Sequence, residues 1–406
     1  MKTADPELMR AINRFHVMDA IRRFGPIARV EICDLTQLSP TTVSAITASL
    51  LEDGLILSRA IGAVRDAARG RPRVMLELNP EAAFVVGVKL APDHITVATT
   101  DFRADVLKSV TLPVRIDRQP VSVIADLVED GVRRCIADAD LAIERISGVC
   151  VGVPGVVERG AGVCRQSPIF RERNVAFAAE LKSRLNIEAT VDSDVNLVTL
   201  AEHWFGVGRG LDDFIVVSVE HTLGLGVVHN GELFRGANGI GPDLGDLLVR
   251  PPMAGGNGVG RLSEVASEHA ILGEVEAALN GGADAAGFRN DRSMEQVIKM
   301  AEAGDQRVIG ILATAGEALG FAIANLIALF APPKVILAGA ALEAGELVLS
   351  PLRATVSALT PMNLADVSEI VVHQWGDDMW ARGAAAMTLR DLYGAPWNTT
   401  GPASRR

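Results

Sequence analysis

Cysteines are few in this sequence, and they follow no pattern. Among its 406 residues there are four, Cys33, Cys135, Cys150 and Cys164, with neither a paired spacing nor the spacing of metal ligands. Structural disulfides persist in oxidising compartments, so this usage favours the reducing cytoplasm. We therefore expect a cytoplasmic protein with no disulfide framework.

Long apolar runs are also missing. The start of the chain carries Asp5 and Glu7 and lacks the apolar core of a signal peptide. The longest apolar stretch near the C-terminus, Ala318–Ala331, is interrupted by Gly320 and Asn325 and is shorter than the roughly 20 residues that span a bilayer. We expect this stretch to be a buried helix and the protein to have no membrane partner.

Residues 27–56 carry two short helical patterns that share one apolar face. Apolar residues recur there at intervals of three and four, at Ile27, Val30, Ile32, Leu35, Leu38, Val43, Ile46, Leu50 and Leu51. Ser39 is a predicted N-cap and Pro40 suits the first helical turn, so the second helix is expected over Pro40–Asp53. Its outer side has short hydroxyl side chains, and its first acidic residue is Glu52.

Two helices joined by a tight turn, the second with a small polar outer face, describe a helix-turn-helix. We predict that the second helix enters the major groove of DNA. The predicted DNA-contacting residues of this helix are Pro40, Thr41, Thr42, Ser44 and Thr47. A generic three-helix bundle is the alternative interpretation of this segment alone.

The segment that follows favours DNA binding. Apolar runs at Leu55–Leu57 and Val74–Leu78 flank a Gly- and Arg-rich stretch, which predicts a hairpin of the kind found in a winged helix. Arg69, Arg71 and Arg73 are predicted to contact the minor groove from the tip of this wing. A basic flexible linker is the alternative, but helix, turn, helix and basic wing in this order are more specific than any one of them.

Charge also separates the start of the chain from the rest. The formal net charge is −11, yet residues 1–80 carry 11 Lys and Arg against 9 Asp and Glu, and the remainder carries 28 against 41. A head of charge +2 therefore precedes a body of charge −13. Non-specific DNA affinity should be weak, so specificity should depend on a correctly spaced dimer. Strands alternate with helices in the body, which indicates the α/β class, and two similar halves would fit this pattern.

Five motifs occur along the chain in a fixed order. They are GRPRV-x-L-E-L-N-P, VVGV, GVCVGVPGVVERG, VDSDVNLVTLAEHWFGVGRG and GLGVVHNGELFRGANGIGPDLGD. Together they resemble the ROK family, which combines bacterial sugar kinases with sugar-responsive repressors such as those for xylose and N-acetylglucosamine. The resemblance covers nearly the whole chain, and the DNA-binding head is typical of the repressors.

The resemblance implies a two-lobed actin/hexokinase-like (ribonuclease H-like) body with a sugar cleft between its lobes. The last helix would pack back on the first lobe. We accordingly expect a winged helix-turn-helix over residues 1–80, a first lobe over 81–205 with 376–395, and a second lobe with the dimerisation surface over 206–375.

Both phosphate loops of the family's kinases are altered in this sequence. In the first, Asp-x-Gly-Gly-Thr, Lys89 stands where the Asp would be, Pro92 removes a backbone N–H and Asp93 adds negative charge. The second, Gly-Thr-Gly, here reads Glu220-His221-Thr222, and Glu220 again opposes phosphate. We expect no ATP cofactor and no kinase activity.

The family's structural zinc motif is altered as well. Tetrahedral zinc ligation there uses one His and a Cys-rich loop. Here Met253–Glu264 contains no cysteine, and Asp246 stands in place of the His. We expect no metal.

The sugar-binding residues are partly retained. Ser193-Asp194 matches an Asn-Asp pair that touches sugar hydroxyls, Asp243 and Asp246 replace a Glu and a His, and Glu264 matches the Glu that ends the zinc motif. Carboxylates suit this task because each accepts several hydroxyl hydrogen bonds. With Gly155, whose loop would approach the ligand, these are the predicted effector-binding residues.

Alternatives remain open for several of these residues. Asp194 would otherwise be a helix N-cap, and Asp243 and Asp246 would belong to a solvated loop. Four carboxylates favour a polyhydroxylated or cationic ligand over an anionic sugar acid. Arg165, Arg171 and Arg173 would either meet an acidic ligand group or lie on the surface as ordinary arginines.

The favoured hypothesis is a cytoplasmic regulator, most simply a repressor of carbohydrate-utilisation genes, that binds a palindromic operator as a homodimer. Whether dimers pair into tetramers stays open. A sugar or sugar derivative would close the lobes and change the spacing of the two heads. The alternatives are a sugar kinase with atypical phosphate loops and a regulator whose effector is a protein.

Overall fold

The computed structural model describes residues 6–60, 74–236, 239–249, 260–279 and 293–393. Residues 6–60 and 74–78 form three helices and a small antiparallel sheet of order β1-β3-β2. The elements are α1 Pro6–Phe24, β1 Ile27–Ala28, α2 Arg29–Thr36, α3 Pro40–Glu52, β2 Ile56–Ala60 and β3 Val74–Leu78.

The head agrees closely with the predicted elements. Ser39 is the N-cap of α3, its hydroxyl oxygen accepting the Thr42 N–H at 3.2 Å, and Pro40 occupies the first turn. Strands β2 and β3 pair as the predicted hairpin, whereas the Arg69–Arg73 tip lies outside the described residues. The shared apolar face is narrower than predicted, because Val30 and Leu35 of α2 are exposed.

The body begins with a five-stranded sheet of order β10-β7-β4-β5-β6. Strands β4 to β6 are antiparallel neighbours, and β7 and β10 are parallel additions. Its elements are β4 Phe84–Ala91, β5 His94–Thr100, β6 Val106–Leu112, α4 Val121–Asp138, β7 Ile146–Val153, β8 Val156–Glu158, β9 Val163–Gln166, α5 Phe177–Leu185, β10 Ala189–Ser193 and α6 Asp194–Phe205.

A second five-stranded sheet follows, of order β13-β12-β11-β16-β17. The remaining elements are β11 Phe214–Val219, β12 Leu223–His229, β13 Glu232–Leu233, β14 Leu248–Val249, β15 Gly260–Arg261, α7 Ser263–Ala266, α8 Glu268–Leu279, α9 Met294–Glu302, α10 Gln306–Phe330, β16 Lys334–Ala338, α11 Glu346–Leu359, β17 Glu369–Val372 and α12 Asp377–Leu392.

The two sheets repeat one arrangement, in which an antiparallel meander is extended by two parallel strands. This agrees with the expectation of two similar halves. In the second half, α10 is long and apolar enough to cross a membrane by composition alone, but most of it is buried against this sheet and α11. A Cβ at Gly316 of α10 would lie 2.2 Å from the Val348 carbonyl oxygen, so glycine allows the close approach of α11.

Helix α6 lies where the parts of the molecule meet. Its apolar residues belong to one core cluster with residues of the head, of α12 and of the second sheet. Strand β10 continues to Ser193 because its parallel pairing with β7 does, and α6 therefore begins at Asp194. The sequence pattern predicts this helix over Val195–Gly206, so the observed start is one residue earlier. Helix α12 packs on α6 and on β4 and β7, as the resemblance implied for the last helix.

Candidate functional site

A cavity of about 500 Å³ lies between the two halves of the body. Its size is within the range of roughly 300–1,000 Å³ that small-molecule sites occupy. Both halves supply lining residues, the first from the start of α6 and the second from the β11–β12 turn and the loop before β14. The predicted effector residues that line it are Gly155, Ser193, Asp194, Asp243 and Asp246.

Asp194 is the first residue of α6, and Ser193 occupies the N-cap position. The N-cap alternative for Asp194 is therefore wrong, although its carboxylate does accept the Val195 N–H at 2.7 Å. Burial raises the pKa of Asp194 to about 6, opposed by the positive charge of Lys89. A carboxyl group of this kind can accept ligand hydroxyl protons when ionised and can exchange a proton near neutral pH.

Below Asp194, a buried ionic network joins the two halves. The Asp192 carboxylate is 1% exposed and accepts hydrogen bonds from the Ser193 N–H and the Asn196 amide, both at 2.8 Å. Its other oxygen lies 2.7 Å from the guanidinium of Arg235, which follows β13 in the second half. This network is not predictable from the sequence, since nothing in the chain order brings Arg235 to the end of β10.

The remaining predicted effector residues differ in their surroundings. Gly155 has φ +114°, and a Cβ there would lie 2.3 Å from the Gln166 carbonyl oxygen, so only glycine fits this bend. Asp246 is paired with Arg261 at 2.6 Å and its side chain is 63% exposed, whereas Asp243 lines the cavity and accepts the Asp246 N–H at 3.3 Å.

Glu264 does not reach the cavity. Its carboxylate accepts the Arg261 N–H at 2.9 Å, which turns the exposed side chain back along the start of α7. The predicted place of Glu264 in the effector site is therefore wrong. Arginines contribute instead: Arg171 and Arg173, together with Arg118, line the cavity, while Arg165 is engaged by Glu158 and Asn174.

The segments that resemble the kinase phosphate loops contain Lys89 and Glu220, and the Glu268 N–H donates to Glu220 O at 3.1 Å. Burial raises the pKa of Glu220, and burial together with the Glu220 charge raises the pKa of Glu268 to about 7. The Lys89 ammonium lies 4.6 Å from the ring centroid of Trp380 in α12. A polyanionic nucleotide would therefore meet two carboxyl groups and a lysine already engaged by an aromatic ring.

The outer side of α3 carries most of the predicted DNA-contacting residues. Pro40, Thr41 and Ser44 are exposed and Thr42 is half-buried. Thr47 is an exception to the prediction, since it is 0% exposed and its hydroxyl oxygen accepts the Arg29 Nε–H at 2.9 Å. Its predicted place on the outer face is wrong, because the helix turns this hydroxyl inward toward α2.

The fold and the cavity define an actin/hexokinase-like protein with a head of three helices and a hairpin. Residues 85–391 match the ROK family, and the chain belongs to that family. It is 26% identical to a xylose repressor of Caldicellulosiruptor bescii over 96% of this chain and 98% of that protein. It is also 26% identical to the DNA-binding transcriptional dual regulator NagC of Escherichia coli, over 86% of each chain.

Solved structures agree in fold. A ROK family transcriptional regulator, described as a homolog of the E. coli MLC protein, has a TM-score of 0.78 and 24% identity over 95% of this chain and 98% of that chain. A ROK family glucokinase from Streptomyces griseus, solved with glucose and AMPPNP, has a TM-score of 0.61 and 21% identity over 75% of this chain and 99% of its own. At these identities the structures show the fold alone.

Proposed function

We propose that this protein is a cytoplasmic transcriptional repressor that binds operator DNA through its head and a sugar or sugar derivative through the body cavity. The observation that carries the proposal is that one chain combines an exposed α3 surface, with no acidic residue before Glu52, and a cavity lined by Asp194. The names of the 26%-identical relatives, a xylose repressor and NagC, support the same function.

In this proposal the head is a winged helix-turn-helix. The start of α3 enters the major groove, with Pro40, Thr41, Thr42 and Ser44 near bases or phosphates. The Arg69, Arg71 and Arg73 side chains contact the flanking minor groove. A homodimer then reads two half-sites centred about one or two helical turns apart, on the order of 10 or 21 bp.

Helix α6 supplies a physical connection between cavity and head. It starts at Asp194 in the cavity and ends about 18 Å away, at a rise of 1.5 Å per residue. Near its end, the Trp204 ring lies 4.0 Å below the guanidinium of Arg22 in α1. A ligand that shifts Asp194 would therefore move a rigid helix whose other end contacts the DNA-binding head, provided it prefers one arrangement of the lobes.

Footprinting of the full chain on its own upstream DNA tests the first half of this function. We expect a two-fold symmetric footprint, and substitution of the exposed Ser44 by Asp should abolish it because a carboxylate would face the phosphates. Ala48→Asp, also on the exposed side of α3 but one turn further from its start, should weaken binding less. A footprint without two-fold symmetry would contradict the docking scheme.

Sugar phosphorylation is the second candidate, favoured by the position of Asp194, whose pKa of about 6 would suit a general base. A coupled ATPase assay across monosaccharides separates the two functions. Turnover that Asp194→Asn abolishes would establish a kinase, whereas we expect none, because Lys89, Pro92 and Glu220 occupy the positions where the family's kinases hold phosphate.

A further inference from the structure

Asp192 is a buried carboxylate that receives one arginine from each half of the body. Its Oδ2 atom lies 3.4 Å from Arg159 Nε in the first half and 2.7 Å from Arg235 Nη2 in the second half. Because Asp192 is 1% exposed, loss of every cation beside it would leave an uncompensated buried charge, which is strongly destabilising. The two arginines therefore share the compensation of one carboxylate.

The two arginines are anchored to different parts of the molecule. Arg159 follows β8, and its Nη2 atom is also paired with Asp391 of α12 at 2.8 Å. Because α12 packs on the first sheet, Arg159 should stay beside Asp192 whatever the position of the second half. Arg235 follows β13 of the second sheet, and its Nη2 atom also donates to Met387 Sδ of α12 at 3.3 Å. Of these contacts, those of Arg235 cross between the halves and would break if the halves moved apart.

The ion pairs of Asp192 do not use the full bonding capacity of the arginines. Within the part of the chain that the structure describes, neither Arg159 Nε nor Arg235 Nη1 has a hydrogen-bond partner. A buried donor without an acceptor costs free energy. Departure of Arg235 would remove part of this cost, and Arg159 would still compensate Asp192. The ion pair between Arg235 and Asp192 therefore has the properties of a contact that can open and close.

This ion pair holds together two segments that carry cavity residues. On one side, Asp192 accepts the Ser193 N–H at 2.8 Å and so fixes the residue that precedes Asp194. On the other side, Arg235 lies eight positions before Asp243 in the sequence. Ser193, Asp194 and Asp243 line the cavity, whereas Asp192 and Arg235 do not. The ion pair would thus act on a ligand through the arrangement of these residues and not by contact.

We propose that Arg235 is a positioning residue whose ion pair with Asp192 holds the halves in a closed arrangement that binds the effector. Loss of the ion pair gives an open arrangement that binds the operator. This inference rests on the proposed function and adds the contact that sets the balance between the two arrangements. The effector weakens operator binding because it favours the closed arrangement, in which the ion pair is formed.

A balance between two arrangements makes one ratio of binding constants informative. Each apparent dissociation constant is the intrinsic constant divided by the fraction of protein in the competent arrangement. The effector constant divided by the operator constant is therefore proportional to the ratio of open to closed protein, whichever arrangement predominates. A variant that weakens the ion pair must raise this quotient. A variant that is merely less stable loses both affinities by the same factor and leaves the quotient unchanged.

Arg235→Gln in the full chain tests the inference. Operator affinity is measured by fluorescence anisotropy of labelled DNA, and sugar affinity by isothermal titration with D-xylose and N-acetyl-D-glucosamine as probes. We expect the quotient to rise about fivefold to tenfold, near the low end of allosteric couplings, because Arg159 still compensates Asp192. Without sugar, operator binding should be as tight as in the wild type or tighter. Arg235→Lys, which keeps the positive charge, should lie closer to the wild type.

Arg159→Gln is the matched control, and its expected effect has the opposite sign. Without Arg159, Asp192 has no cation once Arg235 leaves, so the open arrangement is destabilised and the quotient should fall. If both arginines did no more than orient Asp192, both variants would raise the quotient. That result, an unchanged quotient in Arg235→Gln, or weaker operator binding by Arg235→Gln without sugar would overturn the inference. Absence of specific operator binding by the wild type would instead show that the proposed function is wrong.

Discussion

The two ends of α6 differ in how their acidic residues are satisfied. At the start, Asp194 lines a cavity, accepts the Val195 N–H at 2.7 Å, and has a pKa raised to about 6 by burial. At the other end, Glu202 is 0% exposed, and its carboxylate accepts hydrogen bonds from Trp375 Nε1 at 2.6 Å, from the Val207 N–H at 2.8 Å and from His373.

This difference separates a residue available to a ligand from one that holds the molecule together. Val207 belongs to the chain that leaves the first half, and His373 and Trp375 belong to the chain that returns from the second half to α12. Glu202 therefore ties together both connections between the halves at the point where they would act as a hinge. The same helix therefore has an acidic residue that lines the cavity at one end and a fully hydrogen-bonded one between the two connections at the other. This arrangement would suit a rigid helix that transmits movement between the cavity and the hinge.

Substitution of Glu202 should have the largest effect on the free energy of unfolding. Glu202→Ala would leave three buried or half-buried donors without an acceptor, and we expect it to lower the free energy of unfolding by about 3–5 kcal/mol. Urea denaturation followed by tryptophan fluorescence would measure this, since Trp375 and Trp204 lie near the change. Glu202→Gln keeps an acceptor oxygen and should lose less than half as much. Equal unfolding midpoints for wild type and Glu202→Ala would contradict the role of Glu202 in holding the two connections together.

Substitution of Asp194, at the other end of α6, should alter the response to the effector and the pH dependence more than it alters the stability. Asp194→Asn should keep operator binding and lose relief by the effector, because the ionised acceptor is gone.

The sign of the stability change with pH follows from the raised pKa of Asp194. Its native pKa of about 6 lies above the ordinary value of 3.8, so the native state holds this proton more tightly than the unfolded chain does. The wild type is therefore penalised increasingly as the pH rises from about 4 to 6, and fully above 6. The melting temperature of Asp194→Asn should rise relative to that of the wild type over that interval, and Glu144→Gln, at an exposed position, is the matched control. A pH-independent difference for Asp194→Asn would contradict the buried carboxyl.

The contrast between the ends of α6 was only half predictable from the sequence. Asp194 stands in a motif whose spacing and chemistry identify it. The regular apolar patterns of Ile146–Val153 and Val121–Asp138 likewise predict a buried strand and a helix, and β7 and α4 have these bounds. Glu202 and Asp192 gave no signal, since their partners Trp375 and Arg235 are brought near only by the tertiary fold. The local indication of a structural role for Glu202 is that an acidic residue occurs within the apolar pattern of a helix.

The same distinction explains the errors in the predicted site. Thr47 and Glu264 have the residue types that their roles require, but the facing direction of a side chain depends on the exact helical phase and on neighbours such as Arg29. Arg118 was missed because backbone pairing between distant segments places it at the cavity, and no sequence period reports such pairing.

Substitution at the contact between the end of α6 and the head should have the smallest effect on stability and the most specific effect on the effector response. Arg22 is almost fully buried, lies 4.0 Å over Trp204, and is paired with Asp19 at 2.7 Å. Arg22→Gln should lower stability by about 1–2 kcal/mol, the range of a desolvated cation–π contact, since Arg23 remains to pair with Asp19. If α6 transmits the signal, this variant should also bind operator and effector normally, but the effector should no longer weaken operator binding. Fluorescence anisotropy of labelled DNA would measure this.

The control is Arg10→Gln, at an exposed position on the same helix as Arg22, which should behave as wild type. A normal effector response in Arg22→Gln would show that the head is coupled to the cavity by another route.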